Sequence, residues 1–288
     1  MEREKAPDRV EFSKIDVSAD FSPDWRPFAE GECPGLFYTA IRVQEPKLEM
    51  WALKADLSEP SLKIVVNGGE NGEVSSTKVS SFVRNNGLLA GINAVPFDPV
   101  SARENEERIC VGIVVSNGVP TALPVPRYDA LVFYAPNVTD RRAAILSQAE
   151  IGDLDRVEHA LGGFFIILAE GKLPERLLAG PQKDLPRHPR SAAGLSADGC
   201  TLYLLVIDGR RSGSIGATEA ETGLILKKLG AFWGLNFDGG GSSTLALRFP
   251  DGRIRAVNTP IHSGIPGRER AVAACLGLGT VEKNKNIR

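Results

Sequence analysis

The chain of 288 residues has no surplus of either charge, with 34 Lys and Arg against 36 Asp and Glu and a net charge of −2. Coating nucleic acid or an anionic membrane needs a basic excess, so neither is an expected partner. No run of 18 apolar residues occurs, which excludes a membrane-spanning helix as an expectation. The opening MEREKAPDRV alternates charges and lacks the apolar stretch of a secretory leader. Two locations fit that start: the cytoplasm, or an exported protein whose leader is absent from this sequence. Cysteine is also scarce. Cys33, Cys110, Cys200 and Cys275 form no CxxC pair, which disfavours a zinc knuckle or a thioredoxin-type centre. Two disulfides or four thiols fit the count equally. Three Trp and four Tyr are few for sugar-stacking platforms, which weakens a non-catalytic carbohydrate-binding module. Nor is there a P-loop, a dinucleotide fingerprint, a GxSxG elbow or an HExxH pair.

What the chain has in plenty is glycine, 30 of 288 residues, above the usual share of about 7%. So many glycines mean many turns, or a backbone that must come close to something. Short apolar runs separated by turn residues predict an α+β protein, a single domain with a strand-rich mixed sheet and few helices. Residues 1–35, with Pro7, Pro23, Pro27 and Pro34, read as an irregular lead-in, and 36–288 as the domain. Strands are expected at Leu36–Val43, Glu49–Ala55, Leu62–Val66, Leu88–Asn93, Ile109–Val115 and Ala130–Tyr134. Others are expected at Gly163–Ala169, Ser191–Leu195, Thr201–Asp208, Trp233–Phe237, Thr244–Arg248 and Ala271–Leu278, with a hairpin turn at Ser116–Gly118. Ser75–Asn86 and Glu219–Leu229 are the candidate helices; the second opens on Thr218-Glu-Ala-Glu221, a capping box, and stops at Gly230. Lys172–Pro189, with four prolines, is expected to be a long exposed loop.

The densest chemical signal runs from Gly234 to Leu247. A strand ends at Asp238, then Gly239, Gly240 and Gly241 precede Ser242, Ser243 and Thr244. Successive glycine amides at such a turn suit an anion nest, and the hydroxyls add donors. A second constellation is Arg187-His188-Pro189-Arg190, whose strand pairs through a hairpin with the one ending at Asp208-Gly-Arg210. That pairing brings Arg190, Asp208 and Arg210 to one sheet edge, where arginines suit a phosphate. Asn93, Asn258, Arg268 and Arg270 stand at other strand ends; His159 reads as structural, and His262 sits in a Gly/Pro loop.

Taken in order, these motifs (HisProArgSerAlaAlaGlyLeu, LeuValIleAspGlyArg, GlyAlaThrGluAlaGlu, LeuAsnPheAspGlyGlyGlySerSerThrLeu, then an Arg before an apolar strand) resemble the phosphodiester glycosidase family from about Leu88 to Gly279. By position the resemblance implies site roles for Asn93, Arg190, Asp208, Arg210, Thr218, Glu221, Asp238, Gly239, Gly240, Gly241, Ser242, Ser243, Asn258 and Arg270. One departure is Asn93-Ala-Val-Pro-Phe97, where the family has Asn-Gly-Gly-Phe-Phe; it alters a loop near the sugar and bears on substrate identity.

The implied activity is hydrolysis of a sugar-1-phosphodiester, with a phosphoglycan or sugar phosphodiester as partner and export as the family's habit. A phosphate leaving group is a weak base, so stabilising its charge matters more than protonating it. Arg190, Arg210, Arg270 and the glycine amides suit that task, while Asp238, with Asp208 or Glu221, supplies base or nucleophile. No cofactor is expected. Asp238, Asp208 and Asn93 also offer oxygens to a hard cation, which keeps a metal-dependent phosphodiesterase as the alternative. The oligomeric state is left open.

Overall fold

The structure, a computed structural model, describes residues 21–69, 73–136, 139, 141–178 and 185–281. Its centre is a seven-stranded sheet in the order Arg26–Pro27, Leu36–Val43, Leu48–Asp56, Thr201–Ile207, Arg190–Leu195, Trp233–Asn236, Ile166–Leu168. Strand Thr201–Ile207 shows why these residues lie mid-sheet. Leu202, Leu204 and Val206 enter one apolar cluster, and Tyr203, Leu205 and Ile207 enter another, so both faces are buried at a period of two.

One five-stranded sheet has the order Ile254–Ala256, Leu245–Arg248, Ala90–Asn93, Cys275–Thr280, Leu62–Val66. Another runs Val119–Ala122, Val114–Ser116, Val157–Gly162, Asp129–Tyr134, Ala143–Ser147. A continuous core joins one face of the large sheet to both of these and to the short helix Val79–Asn85. The helix Glu219–Leu229 covers the other face, through Ala220, Ile225, Leu226 and Leu229. Every pairing between the named strands is antiparallel, and the parallel element among the described residues is the isolated bridge Ile261–Arg268.

Local chemistry explains where expectation and structure part. Ile109–Val115 is two strands of different sheets, split at a corner where Gly112 takes φ +137. The first helix begins only at Val79, because Ser75 and Ser76 pair with residues Glu107 and Glu106 instead. Strand Gly163–Ala169 shortens to Ile166–Leu168; a Cβ on Gly163 would stand 2.7 Å from the Asn236 carbonyl, so this stretch crosses the sheet edge closely. Ala143–Ser147 and Val157–Gly162, the latter carrying buried His159, are strands the pattern did not announce. The lead-in lies outside the described residues up to position 20; beyond it Phe21 and Trp25 pack over the second cluster, and Arg26–Pro27 forms a two-residue strand. The loop expected at Lys172–Pro189 contains a short turn at Glu175–Leu177, and its residues 179–184 lie outside the described set. All four cysteines are free thiols.

The helix Glu219–Leu229 matches its expected bounds. Thr218 accepts from the Glu221 N–H, Glu221 accepts from the Thr218 N–H, and Gly230 closes the helix at φ +113. Its interior Gly223 breaks the usual rule, since alanine in an open helix gains about 1 kcal/mol over glycine. Here a Cβ would lie 2.2 Å from the Ile167 carbonyl and 2.8 Å from Leu173 Cδ2. Gly223→Ala is therefore expected to destabilise by about 1–3 kcal/mol, seen as a lower urea midpoint at unchanged slope.

Candidate active site

Register places the site. Arg190 pairs with Ile207, so Arg190 and Asp208 leave the large sheet at one edge, and Ala192 pairs with Asn236, two residues before Asp238. The end of the neighbouring strand Ala90–Asn93 is tied to the same edge. Buried Asn93 donates from Nδ2 to the Asp238 carbonyl at 2.6 Å, and its Oδ1 accepts from Ser191 Oγ at 2.7 Å and the Thr244 N–H at 3.1 Å. The Asp238 N–H donates to the Ala94 carbonyl at 2.8 Å. A single amide side chain thus clamps three segments around Asp238.

The Asp238 carboxyl is half-buried. Burial pushes its pKa up to about 6, against the downward pull of the Ser242 hydroxyl, the Arg270 charge and the Gly239 N–H. Arg270 donates from Nη1 to Ser242 Oγ and from Nε to His262 Nδ1, both at 3.1 Å. Burial and the charges of Arg270 and Arg268 hold the His262 pKa below its usual value, consistent with a neutral ring accepting at Nδ1. On the other side, Arg210 Nη2 lies 3.3 Å from His188 Nδ1. His188 is kept low in pKa by burial and by Arg190 and Arg210. Arg210 itself sits at φ +58, a left-handed conformation that costs a non-glycine residue about 1–2 kcal/mol. Arg190 donates from Nε to the Ala217 carbonyl at 2.9 Å, which aims it along the same edge.

The glycines answer a different need from the one expected. The Gly240 N–H bonds to the Pro189 carbonyl at 2.8 Å, and those of Ser242 and Ser243 close a tight turn on Gly239 and Gly240. The Gly239 N–H serves the Asp238 carboxyl. Four amides of the supposed nest are therefore committed within the protein. The loop is glycine because side chains and backbone crowd it. A Cβ would lie 2.9 Å from the Pro189 carbonyl at Gly239, 3.1 Å from Arg210 Nη2 at Gly240, and 2.5 Å from Arg270 Nη2 at Gly241. The cation-rich face is made by the guanidinium groups resting on the loop.

The two other carboxylates are occupied. Buried Asp208 accepts from Asn258 Nδ2 at 3.1 Å, from the Thr259 N–H at 3.0 and 3.1 Å, and from Arg211 Nη2 at 2.5 Å. Burial still leaves its pKa above the usual carboxylate range. Asn258 continues the network, accepting from the Leu245 N–H at 2.9 Å and donating to the Ser243 carbonyl at 2.9 Å. Glu221 is shared between its capping box with Thr218 and an ion pair with Arg187. Ser243 is buried, its hydroxyl without a protein partner.

The structure thus gathers Asp238, Ser242, Arg270, Arg210, Arg190 and the three glycines at one centre. It sets Asn93, Asp208, Thr218, Glu221, Ser243 and Asn258 around it as bracing. Arg211, Thr259 and His262 belong to this network without having been singled out for it. Arg211 was visible beside Arg210, but His262 meets Arg270 across eight residues of Gly/Pro loop, which no local pattern reports. Among the described residues, no three His, Cys, Asp or Glu converge as a metal-ligand group.

A half-buried carboxylate among guanidinium groups at the edge of an antiparallel sheet defines a centre suited to an anionic substrate. Residues 63–279 match the family model described as phosphodiester glycosidase, and the chain belongs to that family. No curated protein matches it. Among solved structures, the chain is similar to the zebrafish N-acetylglucosamine-1-phosphodiester α-N-acetylglucosaminidase catalytic domain auto-inhibited by its pro-peptide. That likeness has a TM-score of 0.62 and 17% identity, over 95% of this chain and 94% of that one. A hypothetical protein from Synechocystis gives a TM-score of 0.59 and 14% identity over 85% of this chain, which spans 62% of that protein. A candidate exported protein of Burkholderia pseudomallei gives 0.55 and 16%, over 86% of this chain and 76% of that one. At these identities the likeness concerns the fold. No helix among the described residues is long and apolar enough to cross a membrane.

Proposed function

We propose that the protein hydrolyses the glycosidic C–O bond of a sugar-1-phosphodiester of the GlcNAc-α-1-phospho-sugar type. Water supplies the hydroxyl of the released sugar, and the phosphate leaves as a monoester. The observation that carries this reading is the half-buried Asp238 carboxyl, with Arg270 bonded to the same Ser242 hydroxyl and Arg210 packed against Gly240 of the same loop. Arg210, Arg270 and Arg190 stabilise charge growing on the departing phosphate, each such donor being worth about 10²–10³ in rate. Asp238 acts at the anomeric carbon, as base for water or as nucleophile. Asp208 and Glu221 hold the arginine-bearing loops in place, since their oxygens already serve Asn258, Thr259, Arg211, Thr218 and Arg187. No cofactor takes part in this scheme. Export is part of the proposal, supported by the family's habit and by the likeness to the Burkholderia protein.

Hydrolysis in oxygen-labelled water tests the reaction. Label in the released sugar is expected; label in the phosphate would mean P–O cleavage and the metal-dependent alternative, and a chelator that stops the reaction would point the same way. A glycan bound without turnover would favour a binding module. The glycine loop supplies a second check. Gly241→Ala would press a methyl group against the Arg270 guanidinium, 2.5 Å away, and crowd the His262 Cα at 3.3 Å. It is expected to lower kcat/KM about 10²-fold beside a stability loss of about 1–3 kcal/mol, read by kinetics well below the melting temperature and by thermal unfolding.

A further inference from the structure

Immediately before Arg270, the same segment borders a cavity of about 570 Å³ whose lining includes Lys78, Ser80, Arg84, Arg103, Arg268 and Glu269. The segment fixes the cavity to the active centre. Thr77 bridges to Val272 and Ser101 to Ala271, so the chain stretches carrying Lys78 and Arg103 are pinned beside it. The Arg268 carbonyl accepts from the His262 N–H at 3.1 Å, and the His262 ring is the partner of Arg270. Two extended residues span at most about 7 Å, so Arg268 is anchored within that distance of Arg270.

The cavity's charge is one-sided in a protein whose net charge is −2. Lys78 faces Glu104 at 3.7 Å and Arg103 faces Glu106 at 3.8 Å. Arg84 and Arg268 are exposed and have no ion-pair partner among the described residues. Glu269, the carboxylate in the wall, accepts from the Ser80 N–H at 3.2 Å. Two uncommitted guanidinium groups at a roomy cavity match the fork geometry of a phosphate.

We propose that this cavity is a second anion subsite, which takes a further phosphate of the same substrate chain. The substrate class is then a glycan carrying phosphodiesters in series, rather than an isolated sugar-1-phosphodiester. This rests on the function proposed above.

The test compares the wild type with an Arg84→Ala variant of the full chain, Arg84 lying in the cavity wall away from the His262–Arg270 pair. Calorimetry measures the affinity for a short linear polyphosphate and for inorganic phosphate. Kinetics measures substrates bearing one and two phosphodiesters. The variant is expected to lose about tenfold in polyphosphate affinity, and to raise KM about tenfold for the two-phosphodiester substrate alone. Inorganic phosphate affinity and kcat/KM on the single phosphodiester should stay unchanged, and the wild-type preference for polyphosphate should shrink with salt. Equal polyphosphate affinity in the two proteins would overturn the subsite. A tenfold loss of inorganic phosphate affinity would overturn the chain-phosphate assignment, making the cavity a site for free phosphate. If the wild type turns over neither substrate, the proposed reaction fails, while the polyphosphate comparison still decides whether the cavity binds anions.

Discussion

Asp238→Asn is expected to lower turnover by about 10³-fold or more while leaving the protein at least as stable as before. Asparagine has the shape of the protonated acid and cannot serve as base or nucleophile. The stability gain follows from the same surroundings. An unfolded aspartate titrates near 3.9, and folding raises Asp238 to about 6, chiefly by burial. Between those values the folded state binds the extra proton, so the group's contribution favours folding at low pH. It diminishes as pH rises from about 4 to about 6, and is flat above. Burial's preference for the neutral carboxyl corresponds to roughly 3 kcal/mol, an upper value for a group that keeps some contact with water. At pH 7 the variant should therefore gain about 1–3 kcal/mol and lose the stability slope across that window. The wild-type rate carries the opposite signature: kcat/KM falls as pH drops below about 6, because the ionised carboxylate is the working form. An active Asp238→Asn protein would end the assignment, as would a wild-type profile flat from pH 7 to pH 4.

The elements that local chemistry dictates could be read from the sequence. Glu219–Leu229 has a reciprocal cap at one end and a left-handed glycine at the other, and both work within four residues. Thr201–Ile207 is apolar on both faces because it lies mid-sheet, and its composition says as much. Val157–Gly162 was less legible, because His159 and Glu158 interrupt its apolar pattern while its pairing partners lie elsewhere in the chain. The site shows the same divide. The gathering of Arg190, Asp208 and Asp238 follows from one hairpin and one further pairing, and strand ends are visible in sequence. What the glycines are for is not, since the groups crowding them come from Pro189, Arg210 and Arg270, on three other loops. Nor can a local pattern rank two aspartates that each end a strand and precede a glycine. Asp208 and Asp238 differ in their donors: Asp208 takes the remote Asn258 amide and Thr259 N–H besides neighbouring Arg211, whereas Asp238 takes the Ser242 hydroxyl and Gly239 N–H of its own loop.

That difference predicts opposite fates for the two residues. Asp208→Ala leaves the Thr259 N–H without its acceptor, Asn258 Nδ2 with only the Ser243 carbonyl, and Arg211 Nη2 with only Glu49, at 2.7 Å. Removing one partner of a buried charge pair costs about 3–5 kcal/mol. In a chain of this size each kcal/mol moves the melting temperature by about 2–4 °C, so a fall of roughly 10 °C is expected. Asp208→Asn should lose less, because one amide oxygen can still accept from Thr259 or Asn258 while its NH₂ faces a donor. The kinetic readout separates bracing from chemistry. Measured well below its melting temperature, Asp208→Asn should retain measurable turnover, since Asp238, Ser242 and Arg270 are untouched. Asp238→Asn should stay about 10³-fold down or more at every temperature. If Asp208→Asn were instead silent at low temperature with an unchanged melting point, Asp208 would be at the reacting centre. The Asn258 and Thr259 bonds would then be holding a catalytic carboxylate rather than a strut.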